Sequence, residues 1–418
     1  MKILVHAYQT SPIIGSEFSV AWNYIMQMAQ KHELYVLVGQ TSYQMNDFSG
    51  LENIKIPNVT FIKISSDSFL CKLLNLFYKK SFTSPTFYMY YRYWEYQAYR
   101  TVKKLKIDFD IIHQLGPIGY REPGYLHKFN KPFIWGPIGG ITRIKTVFIK
   151  KYNGFEKIKG VVKNVVNYLQ FNFSRRIHHV FERADCLIAA TSEQKNMINN
   201  LLKKDKCQYF PENVLKHIPI IPKDSQKDRK LSVLWIGSLE CRKMPFLFID
   251  AIRKTTHKEY LRCTMIGSGP LYDRIEKYIR KYNLSEIFSI TGQMPRDKVL
   301  MELEKSDFLV ITSAVEASTT IIWEAMENCV PVITLAHCGM NDIVSDNVTG
   351  FKIPIQSYDE ICSSIAEKID LAAFTPSLVK VFKENIIVES KKYLPEVRIN
   401  FFESCYQKAV QNFSERNK

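Results

Sequence analysis

The sequence predicts an α/β protein built from two doubly wound parallel sheets. Short apolar segments alternate with longer amphipathic segments through both halves of the chain, which is the pattern of successive βα units. The chain has 418 residues, more than one hydrophobic core usually serves, so two domains are expected. Between the two halves, residues 218–230 contain Pro219, Pro222 and a charged run, which is typical of a linker.

The first half opens with an apolar strand at residues 2–7. A helix follows from Gly15-Ser16-Glu17, because the apolar residues from Phe18 to Ala29 recur at helical spacing. Further strands are predicted at 34–38, 59–64, 110–113, 131–135 and 186–190. Thr191 and Ser192 then cap another helix.

The second half repeats the same alternation after the linker. Strands are predicted at 232–236, 262–266, 288–291, 308–312 and 330–335. The final stretch, 396–411, is amphipathic and is expected to form a helix. Ligands of such sheets bind at the carboxyl ends of the strands, so the loops that follow these strands are the places to search for a site.

Composition narrows the class of protein. No uninterrupted apolar run approaches the roughly 20 residues that a membrane-spanning helix needs, and Met1–Tyr8 is expected to be a strand and not a signal peptide. The nine cysteines are scattered without a Cys-x-x-Cys pair, which favours a reduced, cytosolic protein without structural zinc.

The net charge of +16 is concentrated in two segments. Residues 69–106 hold eight basic residues and twelve aromatic residues against Glu95, and residues 143–163 hold seven basic residues against Glu156. Basic residues interleaved with aromatic residues fit an anionic membrane surface. Two alternatives stay open: a solvated basic surface over an aromatic core, and binding to nucleic acid.

Two glutamates eight positions apart, Glu316 and Glu324, are the most informative feature. Glu316 is expected on a loop after the strand at 308–312, and Glu324 in the second turn of a helix that starts near Thr320. Ser318 or Thr319 is the predicted N-cap. The backbone N–H groups at this helix start, at Thr319, Thr320 and Ile321, and the helix dipole suit an anion held beside Glu316.

This stretch resembles the Glu-x7-Glu signature of the retaining glycosyltransferases of family 4, because Glu-Ala-Met, Pro331-Val-Ile and Asn341-Asp-Ile-Val follow it. The resemblance implies the GT-B fold, two Rossmann-like domains facing a central cleft. It also implies that Glu316 contacts the donor sugar and Glu324 the nucleotide ribose. Ala317 and Thr319 stand where the family usually has Gly and Gly or Pro.

The resemblance implies that the chain forms two domains and a C-terminal helix. Residues 1–222 would form the acceptor-side domain, 223–395 the domain that binds the nucleotide-sugar, and 396–418 a helix that packs back on the first domain. It is strongest from about Val233 to Ile353.

A loop that grips the donor diphosphate is expected after the strand at 232–236. Gly237-Ser238-Leu-Glu-Cys-Arg242-Lys243 resembles the family's Gly-Arg-Leu-x-x-x-Lys, so Lys243 takes the place of the family's lysine. A tight glycine turn lets backbone N–H groups approach an anion that the cations neutralise. Ser238 replaces the family's arginine, and whether Arg242 substitutes for it stays open.

Four more residues are candidates by the same resemblance. Gly15 would let a loop close over the diphosphate, Gly267 would lie near the nucleotide, and Met294 near the base, with core packing as the alternative for Met294. His113 ends the strand at 110–113 and is expected to point into the cleft, near the reacting sugar, with a buried core histidine as the alternative.

These observations predict a bacterial-type glycosyltransferase that works at the cytoplasmic face of the membrane. It would move a sugar from a nucleotide-sugar to an acceptor hydroxyl with retention, as the resemblance implies, the acceptor being a lipid-linked saccharide for a surface polysaccharide such as lipopolysaccharide or capsule. Neither a metal nor a cofactor is expected. The alternatives are a nucleotide-sugar epimerase on the same fold and a basic nucleic-acid-binding protein.

Overall fold

The structure of the protein is a computed structural model. It describes residues 1–12, 17–40, 51, 54–65, 85–117, 119–221, 230–317 and 319–418. The chain divides into two compact units. The N-terminal unit comprises Met1–Ile141, Leu169–Glu212 and Arg398–Lys418, and the C-terminal unit comprises Thr142–Tyr168 and Asn213–Val397.

The described strands and helices alternate as the sequence predicts. The strands are β1 (Lys2–Ala7), β2 (Glu33–Gln40), β3 (Val59–Ser65), β4 (Ile111–Gly116), β5 (Phe133–Ile138), β6 (Cys186–Ala189), β7 (Cys207–Tyr209), β8 (Leu231–Ile236), β9 (Leu261–Ile266), β10 (Phe288–Ile290), β11 (Phe308–Ile311), β12 (Val332–Leu335) and β13 (Gly350–Ile353). The α-helices are α1 (Glu17–Met28), α2 (Pro85–Leu105), α3 (Thr146–Ile149), α4 (Gly154–Phe173), α5 (Arg175–Arg183), α6 (Ser192–Leu202), α7 (Pro245–Lys254), α8 (Tyr272–Lys281), α9 (Arg296–Glu304), α10 (Thr320–Glu327), α11 (Cys338–Ile343), α12 (Tyr358–Phe374), α13 (Pro376–Ser390) and α14 (Pro395–Arg416).

The N-terminal unit contains a parallel sheet of seven strands in the order β3-β2-β1-β4-β5-β6-β7. Its central strands are continuous apolar runs, and Ile3, Leu4 and Val5 of β1 are fully buried. Parallel sheets are covered by helices on both faces, which explains why these strands do not alternate between polar and apolar residues.

The aromatic residues of α2 form part of the core of this unit. Phe87, Tyr91 and Trp94 are buried, and the indole N–H of Trp94 donates to the carbonyl of Ile64 at 3.1 Å. The expectation that the aromatic residues of 69–106 contact a membrane surface is therefore wrong for Tyr91 and Trp94, because both rings are buried in this core. Residues 69–84 of the predicted membrane segment lie outside the described residues.

The C-terminal helix α14 also packs within this unit from residue 398 onward. The ring of Phe401 stacks on Phe210 with centroids 4.6 Å apart, and Asn412 donates to the carbonyl of Asp185 at 2.7 Å. Arg416 forms an ion pair with the same Asp185. These contacts explain why residues 398–418 group with the N-terminal unit.

The C-terminal unit contains a parallel sheet in the order β10-β9-β8-β11-β12-β13. The first strand of the unit, β8, lies beside the fourth, β11. The strands β9 and β10 extend the sheet on the β8 side, and β12 and β13 extend it on the β11 side. The loops that leave β8 and β11 lie side by side at the carboxyl ends of these strands, and this is where doubly wound sheets bind ligands.

Residues 142–168 pack with the C-terminal unit, although the sequence predicted that they belong to a domain of residues 1–222. Phe148 and Tyr152 are buried in the same cluster as Leu239 and Phe248. The ammonium group of Lys151 lies 4.1 Å from the centre of the Tyr358 ring. The unit boundary is therefore set by long-range apolar packing and not by chain order.

Candidate active site

Hydrogen bonds join the two loops that follow β8 and β11. The buried Thr312 hydroxyl accepts from the indole N–H of Trp235 at 2.9 Å and lies 2.8 Å and 3.0 Å from the carbonyl oxygens of Lys243 and Met244. The backbone N–H of Ala314 donates to the carbonyl of Arg242 at 2.8 Å. The backbone that carries Arg242 and Lys243 is thereby fixed beside the loop that carries Glu316.

Glycines let the loops after β8 and β9 approach each other. Gly267 has φ +146°, and a Cβ built on it would lie 1.9 Å from the carbonyl oxygen of Gly237. The backbone N–H of Leu239 donates to the carbonyl of Ser268 at 2.9 Å. Gly267 therefore has a structural reason to be glycine, since any side chain would collide with the loop of Gly237.

Glu316 is the centre of an ion-pair cluster. Its Oε1 lies 2.5 Å from Nη1 of Arg242 and also contacts Nζ of Lys243. The other terminal nitrogen of Arg242 lies 2.8 Å from Glu240 Oε1. The side chains of Glu316 and Lys243 are only 12% and 15% exposed, so the cluster is partly shielded from water. Two cations and two carboxylates therefore meet at the carboxyl edge of the sheet.

Arg242 belongs to this cluster, whereas Ser238 is exposed on the preceding turn. Burial lowers the pKa of the Arg242 guanidinium, but the carboxylates of Glu316 and Glu240 outweigh that effect and leave its pKa raised. Arg242 thus stays charged and lies next to Lys243 in sequence and in space. These positions favour Arg242 as a substitute for the cation that is missing at Ser238, and this role stays a prediction.

Glu324 lies in the helix α10 and is buried, with Arg296 as its ion-pair partner. Burial raises the pKa of the Glu324 carboxyl, and Arg296 opposes that rise. The carbonyl of Glu324 accepts from the side-chain amide of Asn328 at 2.7 Å. Glu316 and Glu324 therefore have different surroundings: the first is on a loop among cations, and the second is on a helix against one arginine.

The helix α10 begins where the sequence predicts. Thr319 is its N-cap residue and is buried, but its hydroxyl makes no capping hydrogen bond. Thr320 and Ile321 are the first two helical residues, and the N–H of Ile322 donates to the carbonyl of Thr319 at 3.1 Å. The positive end of the helix dipole thus lies in the loop that carries Glu316.

His113 does not point into a cleft, which corrects the expectation for this residue. It is fully buried in the N-terminal unit; its Nε2 lies 2.8 Å from the carbonyl oxygen of Gly136, and its Nδ1 lies 2.9 Å and 3.0 Å from the hydroxyls of Tyr24 and Tyr406. Burial lowers the pKa of His113 to about 4, although the bond to Gly136 opposes this. His113 is a neutral core residue that ties β4 to α1 and α14.

Met294 and Gly15 are the remaining residues that were predicted to lie near the donor. Met294 is half-buried and packs on the apolar cluster that contains Leu303 and Trp323, which agrees with its alternative, core packing. Gly15 lies outside the described residues, so its predicted role stays a prediction.

The sequence interpretation missed His337, which follows β12 at the same edge. Its Nε2 lies 2.9 Å from the carbonyl oxygen of Ser313, and its ring centroid lies 5.8 Å from that of Phe148. Burial lowers the pKa of His337 to about 4. The position directly after a predicted strand could have identified it, because loops at the carboxyl ends of neighbouring parallel strands converge.

Among the residues that the structure describes, no group of three or more His, Cys, Asp or Glu side chains is arranged to hold a metal ion. The expectation that no metal is required stays a prediction.

Part of the chain is similar to known glycosyltransferases. Residues 218–387, which include β8 to β13, match the model of the family described as glycosyl transferases group 1. An uncharacterized glycosyltransferase of Methanocaldococcus jannaschii is 30% identical over 160 residues, 38% of this chain and 43% of that protein.

A second curated relative comes from Campylobacter jejuni. The GalNAc-alpha-(1->4)-GalNAc-alpha-(1->3)-diNAcBac-PP-undecaprenol alpha-1,4-N-acetyl-D-galactosaminyltransferase is 24% identical over 245 residues, which are 57% of this chain and 63% of that protein. The chain thus spans about half the length of these curated relatives.

Solved structures match over nearly the whole chain. The crystal structure of Anabaena Alr3699/HepE in complex with UDP has a TM-score of 0.61 at 14% identity and covers 97% of this chain and 100% of its own. The GT-B fold predicted from the sequence is confirmed, with two Rossmann-like units. The family match and the names of the relatives agree with the prediction of an enzyme of the glycosyltransferase class.

Proposed function

We propose that the protein is a retaining, nucleotide-sugar-dependent glycosyltransferase that acts on a lipid-linked saccharide in surface-polysaccharide biosynthesis. The observation that carries the proposal is the cluster in which Glu316 meets Lys243 and Arg242 at the junction of β8 and β11. Two adjacent cations, a glycine turn and a helix N-terminus are the groups that a diphosphate needs. A carboxylate beside them is the group that orients a sugar by accepting its hydroxyls.

Donor binding, in this proposal, exchanges partners within the cluster. The diphosphate takes Lys243 and Arg242 as its cations, and Glu316, released from them, accepts hydrogen bonds from hydroxyls of the donor sugar. The buried carboxylate of Glu324 accepts from the ribose, for which its bond to Arg296 has to rearrange. The resting ion pairs thus keep both cations and Glu316 in place until a donor arrives.

Transfer then proceeds on one face of the sugar. The bond between the anomeric carbon and the diphosphate oxygen breaks, the acceptor oxygen bonds to the same carbon, and the acceptor proton passes to the departing phosphate oxygen. Lys243, Arg242 and the N-terminus of α10 stabilise the charge that develops on that oxygen. No second carboxylate placed for a double displacement is needed, and Glu316 serves to orient the sugar.

The acceptor is the second part of the proposal. The Campylobacter relative carries in its name an undecaprenol-diphosphate-linked saccharide. An acceptor of the same kind requires the enzyme to work at the surface of the cytoplasmic membrane. None of the helices in the described ranges combines the length and the apolar character needed to span a bilayer. Because such an acceptor is anchored in the membrane, we propose that the protein associates peripherally with its inner face.

A screen of nucleotide-sugars tests this function. The purified chain is incubated with a panel of UDP-, GDP- and dTDP-sugars, with and without an extract of lipid-linked saccharides, and release of nucleoside diphosphate and the anomeric configuration of the product are measured. We expect one donor to be consumed and the product to keep the donor's configuration. Inversion would contradict retention. Conversion of the donor sugar without any acceptor would identify an epimerase, and no turnover of any donor would contradict the proposal.

A further inference from the structure

The helix α4 exposes an apolar face. Its outward side chains Phe155, Ile158, Val162 and Val165 are 76%, 62%, 53% and 51% exposed. Successive helical residues are about 100° apart, so these four positions share one side of the helix. Val161 and Val166 border them and are also exposed. We call these six side chains the α4 apolar face; all belong to the C-terminal unit.

Over residues 154–168 the buried side of α4 is small and polar, the reverse of an ordinary surface helix. Gly160 lies against Tyr152, where an added Cβ would be 3.5 Å from the ring. The side chain of Asn164 accepts from the N–H of Ile144 at 2.9 Å and donates to its carbonyl at 2.7 Å. Asn167 is buried on the same side. Hydrogen bonds therefore hold α4 in place, and its apolar side faces outward. An exposed apolar patch of this kind lowers solubility unless a partner covers it.

Exposed cations lie on α4 and on the residues that precede it. Lys157, Lys159 and Lys163 are exposed on α4 itself. The preceding residues add four more exposed cations, Arg143, Lys145, Lys150 and Lys151. Residues 143–163 contain one acidic residue, Glu156. An apolar stripe bordered by basic residues is the arrangement of a helix that lies in the plane of a membrane interface.

From this arrangement we infer that the α4 apolar face docks the protein on an anionic lipid bilayer. The apolar side chains enter the boundary between headgroups and acyl chains, and the lysines extend back to the headgroup phosphates. A second copy of the chain fits less well, because a symmetric dimer through this face would bring the same cations of both copies together. The inference rests on the proposed function only for its biological purpose, which is access to a lipid-linked acceptor.

Vesicle sedimentation tests the docking surface. Full-length protein is mixed with vesicles of phosphatidylcholine alone or with about one-third phosphatidylglycerol, at low and at high salt. We expect binding to the anionic vesicles that falls as salt screens the lysines over a Debye length of about 8 Å at physiological ionic strength. Absence of binding to anionic vesicles at low salt would overturn the inference.

Matched variants locate the surface. The triple variant Phe155→Ser, Ile158→Ser, Val162→Ser should lose at least about tenfold in vesicle affinity. The control Leu371→Ser, Val381→Ser, Val388→Ser removes three exposed apolar side chains from α12 and α13 of the same unit and should bind as the wild type does. Equal binding by both triple variants would overturn the inference, provided that circular dichroism shows both folded.

Charge reversal of the lysines on α4 is a second, independent test of the docking surface. Lys157→Glu, Lys159→Glu, Lys163→Glu should also lose at least about tenfold, since each lysine near an anionic surface contributes roughly fivefold. The control Lys277→Glu, Lys281→Glu, Lys380→Glu makes the same change in net charge at exposed sites elsewhere in the unit and should lose much less. An equal loss in both variants would mean that net charge alone drives binding, and would overturn the inference that α4 is the docking surface.

Two readouts separate this inference from the proposed function. The serine variant on α4 should keep the wild-type affinity for nucleoside diphosphate, whereas Glu316→Ala should keep vesicle binding. A wild-type protein that elutes as a dimer and becomes monomeric only in the serine variant would show that a second copy covers the face, and would overturn the lipid assignment.

Discussion

Neutralising Glu316 while keeping its shape tests how the ion-pair cluster works. In the resting protein both Lys243 and Arg242 contact one carboxylate oxygen of Glu316. A diphosphate has to draw these cations away and then lie near the same negative charge. The substitution Glu316→Gln removes that competition, so affinity for a nucleoside diphosphate should rise although turnover of the nucleotide-sugar falls.

The size of the gain follows from the burial of the three side chains. At an effective dielectric constant of about 20, two charges about 4 Å apart interact by about 4 kcal/mol. The Arg242 side chain is 37% exposed, so solvent screens its pair with Glu316, and exposed pairs contribute at most about 1 kcal/mol. We expect a gain of about 1 kcal/mol, which is about fivefold in Kd.

Calorimetry with UDP, GDP and the matching nucleosides measures this effect. Glu304→Gln, an exposed glutamate at the end of α9, serves as the control and should leave both affinities unchanged. The nucleosides carry no phosphate, so their affinity should not respond to Glu316→Gln either. A loss of tenfold or more in diphosphate affinity would refute the reasoning, because Glu316 would then be supporting the diphosphate and not competing with it.

Three further predictions follow from the same structure. Lys243→Ala should weaken diphosphate binding by about 1–3 kcal/mol, the loss of one charge-assisted contact, while Lys277→Ala does not; equal calorimetric affinities would contradict this. Thr312→Val keeps the volume but leaves the buried indole N–H of Trp235 without its acceptor, so urea unfolding should show a loss of about 1–3 kcal/mol, larger than for Thr312→Ser. Because burial lowers the pKa of His113 to about 4, its contribution to the free energy of unfolding is present above the ordinary value near 6.5 and is lost as pH falls toward 4. His113 alone should account for a loss of about 2 kcal/mol between pH 7 and 5, so the total fall should be smaller by about that amount in His113→Gln.

Most of the fold could be predicted because its strands are short apolar runs with clear ends. The strand predicted at 2–7 is β1, and those at 232–236 and 262–266 differ from β8 and β9 by one residue. The strand β7, Cys207–Tyr209, was not predicted, because Cys-Gln-Tyr is not an apolar run.

The grouping of residues 142–168 could not be predicted from chain order. Phe148 and Tyr152 are apolar in either unit, and only the packing against residues nearly a hundred positions away decides where they are buried. The same limit applies to α4, because an amphipathic pattern gives two faces without stating which one is covered. Asn164 settles the question through its two bonds to Ile144, which no sequence pattern reveals.

The site was predicted where charged residues follow a strand directly. Lys243 and Glu316 lie on the loops after β8 and β11, and they meet because these two strands are neighbours in the sheet. His113 was misplaced because a polar residue near the end of a strand looks the same whether it meets ligand or, as here, the hydroxyls of Tyr24 and Tyr406. Those partners lie on α1 and α14, far away in sequence.

Transfer by Glu316→Ala, compared with the wild type and with Glu304→Ala, tests the central claim most directly. The donor found in the nucleotide-sugar screen is used, and circular dichroism and calorimetric binding of the nucleoside diphosphate are measured on the same samples. If Glu316 orients the donor sugar, Glu316→Ala is folded and binds the diphosphate but transfers no sugar, while Glu304→Ala retains wild-type activity. Wild-type transfer by a folded Glu316→Ala protein would contradict the claim.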